Sequence, residues 1–203
     1  MTTPRNLLVI TMDRAGDHPV KSGELSLALA GAELIDLFRA GAVEVRGDRV
    51  VPARPSAPAE GMLERAFASL RREEPYESVG DWLWRRGEGL AEAYTADFEA
   101  AGLLTRRRRR GHPFQAGDLA LKDSAVRNEA ARSWSSADPV LVTLAKAVGV
   151  PGERAQDVPE VTDDTVASVL AGVGDAVLEL EAERQRRDIE RKAFDNVWRG
   201  PGL

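Results

Sequence analysis

Apolar residues recur every three or four positions through most of this chain, the signature of helices with one buried side. Leu27, Leu34, Leu37 and Phe38, helped by Leu25, Ala30 and Ile35, predict an amphipathic helix over 24–39 with a broad apolar stripe. Ser22 is placed to cap that helix through its hydroxyl. Gly41 is placed to end it, since glycine takes the left-handed conformation without a side-chain clash. Further helical patterns cover 61–72, begin again at 78–84, and continue over 90–101 and 118–133. Asp138 and Pro139 supply a cap and a compatible first residue for a helix carrying Val140, Leu141, Leu144 and Val148. Thr162 or Asp163 fits the cap of another, through Val166, Val169 and Leu170. Gly172 and Gly174 suggest a break before a last helical stretch over 177–194. Its later half is mostly Glu and Arg, a pattern of solvated or pairing helices.

Two other patterns interrupt this periodicity. The apolar run at 7–12 fits either a strand or the first turn of a helix. Ala42-Val43-Glu44-Val45 and Val50-Val51 are β-favouring runs around Arg46-Gly47-Asp48-Arg49, which predicts a small hairpin. Neither an internal repeat nor a linker divides the chain. The expected architecture is therefore mainly α, one domain over 1–203, with a small N-terminal β-hairpin and a short arginine-rich loop.

Composition narrows the class. A chain of 203 residues with 43% hydrophobic content can bury one substantial core. No apolar run approaches the roughly 20 residues needed to cross a bilayer. Residues 1–6 lead into only four clearly apolar positions, too few for the core of an export signal, so a cytoplasmic location is expected. With no cysteine, disulfides and thiolate metal sites are excluded.

Charge changes the picture more. Arg106, Arg107, Arg108, Arg109 and Arg110 are consecutive in a chain of formal net charge -5. Their mutual repulsion opposes compaction, so the run calls for full solvation or an anionic partner such as phospholipid or nucleic acid. Lysine occurs only at Lys21, Lys122, Lys146 and Lys192, so arginine is the general cation of this chain. That bias lowers the meaning of any single arginine more than that of five together.

Other candidate chemistry is thin. Trp82 and Trp84 do not share a helical face. Trp82 reads as structural, while Trp84 with Arg85 and Arg86 forms a candidate auxiliary surface. His18 and His112 each precede proline without a neighbouring ligand pattern, so no metal site is expected. Asp163-Asp164 reads as a helix cap rather than an acid/base pair. Neither a nucleophile elbow nor a phosphate-binding glycine loop is present, and no reaction or cofactor is implied.

Several blocks, in order, carry a resemblance: Asn6-Leu-Leu-Val-Ile10, Gly31-Ala-Glu-Leu-Ile-Asp-Leu-Phe-Arg-Ala-Gly41-Ala-Val-Glu-Val45, Phe98-Glu-Ala-Ala-Gly-Leu-Leu-Thr105, Gly111-His112-Pro113 and the stretch from Asp138 to Gly149. Together they resemble the Golgi phosphoprotein 3 family, and the chain looks like a bacterial, actinobacterial-type member. The resemblance implies a mostly helical, non-catalytic, membrane-binding domain. Eukaryotic members recognise phosphatidylinositol 4-phosphate and retain glycosyltransferases through their cytoplasmic tails. Positions matching the eukaryotic headgroup arginines are Ala30, Glu88 and Ala91 here, and no tryptophan stands at 22–26 to enter a bilayer. Alanine and glutamate cannot make charge-assisted contacts to phosphate.

The resulting expectation is a peripheral adaptor at the inner face of the cell membrane, touching anionic phospholipid through the arginine run. Cytoplasmic tails of membrane proteins and self-association are the protein partners it suggests. A soluble interaction scaffold is the alternative. A winged-helix nucleic-acid binder, built from the helix at 24–39 and the following hairpin, is weaker, because that hairpin loop offers only Arg46 and Arg49.

Overall fold

A computed structural model describes residues 2–14, 20–53, 61–107, 118–122, 124–151 and 160–198. Among them the elements run α1 (Thr3–Arg14), α2 (Ser22–Arg39), β1 (Val43–Arg46), β2 (Arg49–Pro52), α3 (Gly61–Ala68) and α4 (Val79–Gly87). They continue with α5 (Leu90–Ala100), β3 (Leu104–Arg107), β4 (Asp118–Leu121), α6 (Ser124–Ser135), α7 (Pro139–Ala147) and α8 (Asp164–Trp198). The protein is mainly α-helical with a small N-terminal hairpin, as the periodicity predicts. The apolar run at 7–12 lies in α1, where Leu7, Leu8, Val9 and Ile10 are all buried.

α2 is the axis around which α1, α4, α5 and α8 pack. Every residue over 24–35 is buried, so the predicted one-sided stripe gives way to a helix closed on all sides. Glu24, Ser26 and Glu33 made the sequence look amphipathic, yet each is buried and answered from another element or the preceding turn. Lys21 at 3.2 Å and Arg184 at 2.5 Å donate to Glu24. The Ala91 N–H donates to the Ser26 hydroxyl at 3.0 Å, tying the first turn of α5 to α2. Lys21, not Ser22, occupies the N-cap of α2, and the Ser22 hydroxyl instead donates to Glu92 on α5. At the other end Gly41, with φ at 65°, lets its own N–H and that of Ala42 return to the carbonyls of Phe38 and Leu37.

α8 meets α2 at Gly31, where a Cβ would stand 2.3 Å from Val173 Cγ2. Hydrogen in place of a methyl therefore sets how closely the two helices approach. α8 runs unbroken through Gly172 and Gly174, against the predicted break. Packing outweighs the roughly 1 kcal/mol that a mid-helix glycine costs: Gly172 faces Val79 and Leu83 of α4. Asp163 is the cap, accepting from the Val166 N–H at 3.0 Å. The buried positions of α8 are Val166, Val169, Leu170, Val173, Ala176 and Val177, and residues 185–194 are exposed.

The first hairpin pairs Val43 with Pro52 and Arg46 with Arg49. It is clamped to the start of α4, because the Val79 N–H donates to the Asp48 carbonyl at 2.7 Å and the Val50 N–H to the Glu77 carbonyl at 2.9 Å. A second hairpin pairs Leu104 with Leu121 and Arg107 with Asp118. It corrects the expected helix over 118–133: residues 118–121 are strand, and α6 begins at Ser124. The reason is non-local, since the Lys122 N–H also donates to the Leu103 carbonyl at 2.7 Å. Local periodicity carries no trace of that partner.

Two outcomes test this packing. Gly31→Ala should lose about 1–3 kcal/mol in urea unfolding through overpacking, and adding Val173→Ala should restore part of it. An unchanged midpoint for Gly31→Ala would mean that the helices do not need this close approach. Asp36 accepts from the Thr3 N–H at 2.8 Å and the Thr3 hydroxyl at 2.6 Å, but burial outweighs these contacts and raises its carboxyl above 3.8. The stability this group contributes is complete below about that value and is lost as pH rises through the raised folded one. The stability difference between wild type and Asp36→Asn should therefore move toward wild type on acidification, and a pH-independent difference would contradict it.

Candidate functional site

α4 begins with a capping box, in which the Asp81 N–H donates to the Ser78 hydroxyl at 3.0 Å and the Ser78 N–H to the Asp81 carboxylate at 3.2 Å. This fixes the rotation of the helix that carries both tryptophans. Trp82 is fully buried, and its indole N–H donates to the Ala30 carbonyl on α2 at 3.0 Å. Trp84, two residues on, is 41% exposed. Trp82 is therefore a core residue, and Trp84 stands at the surface.

Arg85 and Arg86 differ in their surroundings: Arg85 is exposed beside Trp84 but paired, and Arg86 is largely buried. Arg85 makes a two-pronged contact with Glu77, at 2.9 and 2.7 Å, and lies over the Trp82 ring, 5.3 Å from its centroid. Arg86 reaches inward to Glu33, donating at 2.7 and 2.9 Å, while the Tyr94 hydroxyl donates to the same carboxylate at 3.0 Å. Glu33 is fully buried, and desolvation pushes its carboxyl up against the opposing pull of Arg86. Tyr94 is pushed up as well, by burial and by the neighbouring carboxylate. Helical spacing explains the outcome: 82 and 86 turn toward the α2 side, while 84 and 85 turn toward solvent. No sequence signal paired Arg86 with Glu33, 53 positions earlier.

Beside Trp84 lies a cleft of about 570 Å³, bounded by the start of α2, the turn joining α4 to α5, the first turn of α5, and Leu180 of α8. Gly87 allows the turn to approach α2, since a Cβ there would lie 3.4 Å from both Leu27 Cδ2 and the Ser26 carbonyl. Gly89 follows with φ at 66°, and the charged side chains lining the cleft are Glu88 and Glu92. Glu92 is held below the usual carboxylate range, chiefly by the Ser22 hydroxyl. Of the three positions that the resemblance matches to headgroup arginines, Glu88 lines the cleft, while Ala30 and Ala91 are buried and do not.

The arginine run divides. Arg106 and Arg107 are strand residues of β3, in register with Leu119 and Asp118, rather than members of a loop. Arg108, Arg109 and Arg110 lie outside the described residues, as do His18, His112 and Phe114. Among the described residues, no group of three or more His, Cys, Asp or Glu is placed to hold a metal ion. Nor is any described helix long and apolar enough to cross a membrane. α2 has no exposed face over 24–35 with which to enter a nucleic-acid groove, which removes the winged-helix geometry.

A family profile for Golgi phosphoprotein 3 (GPP34) matches residues 4–191. The chain belongs to the Golgi phosphoprotein 3 family. Comparison with curated proteins gives no match. As a Golgi phosphoprotein 3 family member the protein is consistent with a non-enzymatic scaffold, and the matched span takes in α4, the cleft and both hairpins.

The Arg86–Glu33 pair has a measurable consequence. Arg86→Met strands a buried carboxylate and should cost about 3–5 kcal/mol in chemical denaturation, whereas Arg86→Met with Glu33→Leu should recover most of that loss. A single variant as stable as wild type would show that the pair does not hold α4 on α2.

Proposed function

We propose that this protein is a non-enzymatic peripheral adaptor whose arginine run contacts anionic phospholipid, at the cytoplasmic face of a bacterial cell membrane. One observation carries the reading: Arg106, Arg107, Arg108, Arg109 and Arg110 run from the outgoing end of β3 into its connection with β4, in a chain of net charge -5. Arg85 and Arg86 are each paired with a buried intramolecular carboxylate, so the reading rests on the run and not on them. Family membership supports a non-catalytic role. The cleft beside Trp84, lined by Glu88 and Glu92, argues against a phosphatidylinositol 4-phosphate pocket there. Each basic residue near an anionic surface is worth about 1 kcal/mol, so binding is reversible and weakens with salt. Cytoplasmic tails of membrane proteins are the cargo this reading anticipates, with self-association through the second hairpin a further element.

A soluble protein-interaction scaffold is the second reading, favoured by the outer part of α8, where Leu178 and Ile189 are 65% and 68% exposed. Sedimentation with phosphatidylcholine vesicles, with and without phosphatidylglycerol or cardiolipin, separates the two. The adaptor should cosediment at least tenfold better with anionic vesicles at low salt. Replacing all five arginines by serine, or raising the salt, should abolish the difference. Equal recovery on neutral and anionic vesicles would rule out the lipid contact.

A further inference from the structure

The cleft beside Trp84 combines three kinds of group that the adaptor reading leaves unused. Its volume of about 570 Å³ falls within the range of small-molecule sites. Its exposed wall is Trp84, and its charged lining consists of Glu88 and Glu92, with the Ser22 and Ser26 side chains alongside. We propose that this cleft binds an organic ammonium ion, with Trp84 offering its ring and Glu88 and Glu92 the countercharge.

The chemistry follows from what would touch a ligand. An indole face attracts a cation through its quadrupole, most strongly where water is partly excluded. Glu88, at the end of α4, makes no hydrogen bond or ion pair with another described residue. Glu92 is met by the Ser22 hydroxyl, which leaves its negative charge uncompensated. Two helix N-termini open toward the same space, each worth about half a positive charge. They are partly screened, because the Ala91 N–H is taken by Ser26 and Glu92 stands in the first turn of α5. Among the described residues, no basic side chain lines the cleft: Lys21 and Arg184 are engaged by Glu24, Arg184 lying against Gly23, and Arg186 and Arg187 border a neighbouring pocket on the α8 side of Trp84. A phosphate placed here would meet two carboxylates at contact range, whereas an ammonium group would meet two carboxylates and a ring. The ammonium can belong to a free amine or to a lipid headgroup.

Isothermal titration of the full chain with choline chloride and with ethanolamine hydrochloride tests this, against sodium glycerol phosphate at matched ionic strength. Both ammonium ions should bind saturably and the phosphate should not. Trp84→Ala and the pair Glu88→Gln with Glu92→Gln should each weaken binding roughly tenfold, with circular dichroism confirming that the variants fold. Absence of saturable heat with either amine, an affinity unchanged by Trp84→Ala, or preference for the phosphate would overturn the proposal. Vesicles containing phosphatidylethanolamine that displace choline would place the ammonium on a headgroup; failure to displace it would assign a free amine, and both results retain the ammonium site. The titration in solution contains no membrane, so its failure is distinct from failure of vesicle sedimentation.

Discussion

Because α2 has no solvent face over 24–35, every polar atom it carries must be answered by a neighbour, and those answers fix the neighbours in place. Glu33 orients α4 and α5 through Arg86 and Tyr94. Ser26 receives the first turn of α5, and Glu24 receives Arg184 of α8. The Ala30 carbonyl takes the Trp82 indole, and Gly31 admits Val173. Five side chains or backbone groups within one helix thus determine where three others lie. The cleft beside Trp84 is a by-product of that arrangement, bounded by the start of α2 and the turn after α4.

The arginines of this chain do not all stand in the same surroundings. Arg85 and Arg86 pair with buried acids, Arg86 from within the fold and Arg85 from its surface. The planar guanidinium suits that work, because it can grip a carboxylate with two parallel donors while its stem lies along apolar surface. The acidic balance of the whole chain hides this division. Net charge alone says little about which face of the molecule is positive, and a count of arginines says less.

The helices were legible where periodicity and caps agreed. Asp138 accepts from the Val140 and Leu141 N–H groups at 3.0 Å, and Pro139 opens α7, as the dipeptide indicates. Local pattern failed where a distant partner decided. Residues 118–121 pair with 104–107 instead of extending α6, and Gly172 stays helical because α4 covers it. At the candidate site the division of labour between Trp82 and Trp84 could be read from their two-residue spacing. The ends of Arg85 and Arg86 could not, because each acid lies on a different element and no local rule links them.

α8 starts in the interior and finishes in water, and its two halves are held by different forces. Up to Val177 the helix is anchored by apolar contact with α2, α4 and α7. Beyond Arg184 its shape leans on short-range ion pairs, Glu183 with Arg187 at 3.0 Å, Glu183 with Arg186 at 3.2 Å and Asp188 with Arg191 at 2.6 Å. Exposed pairs of this kind are worth only about 0.3–0.5 kcal/mol each. Warming or added electrolyte should accordingly fray the distal turns first, with fast amide exchange there while the proximal half stays protected until the whole domain melts.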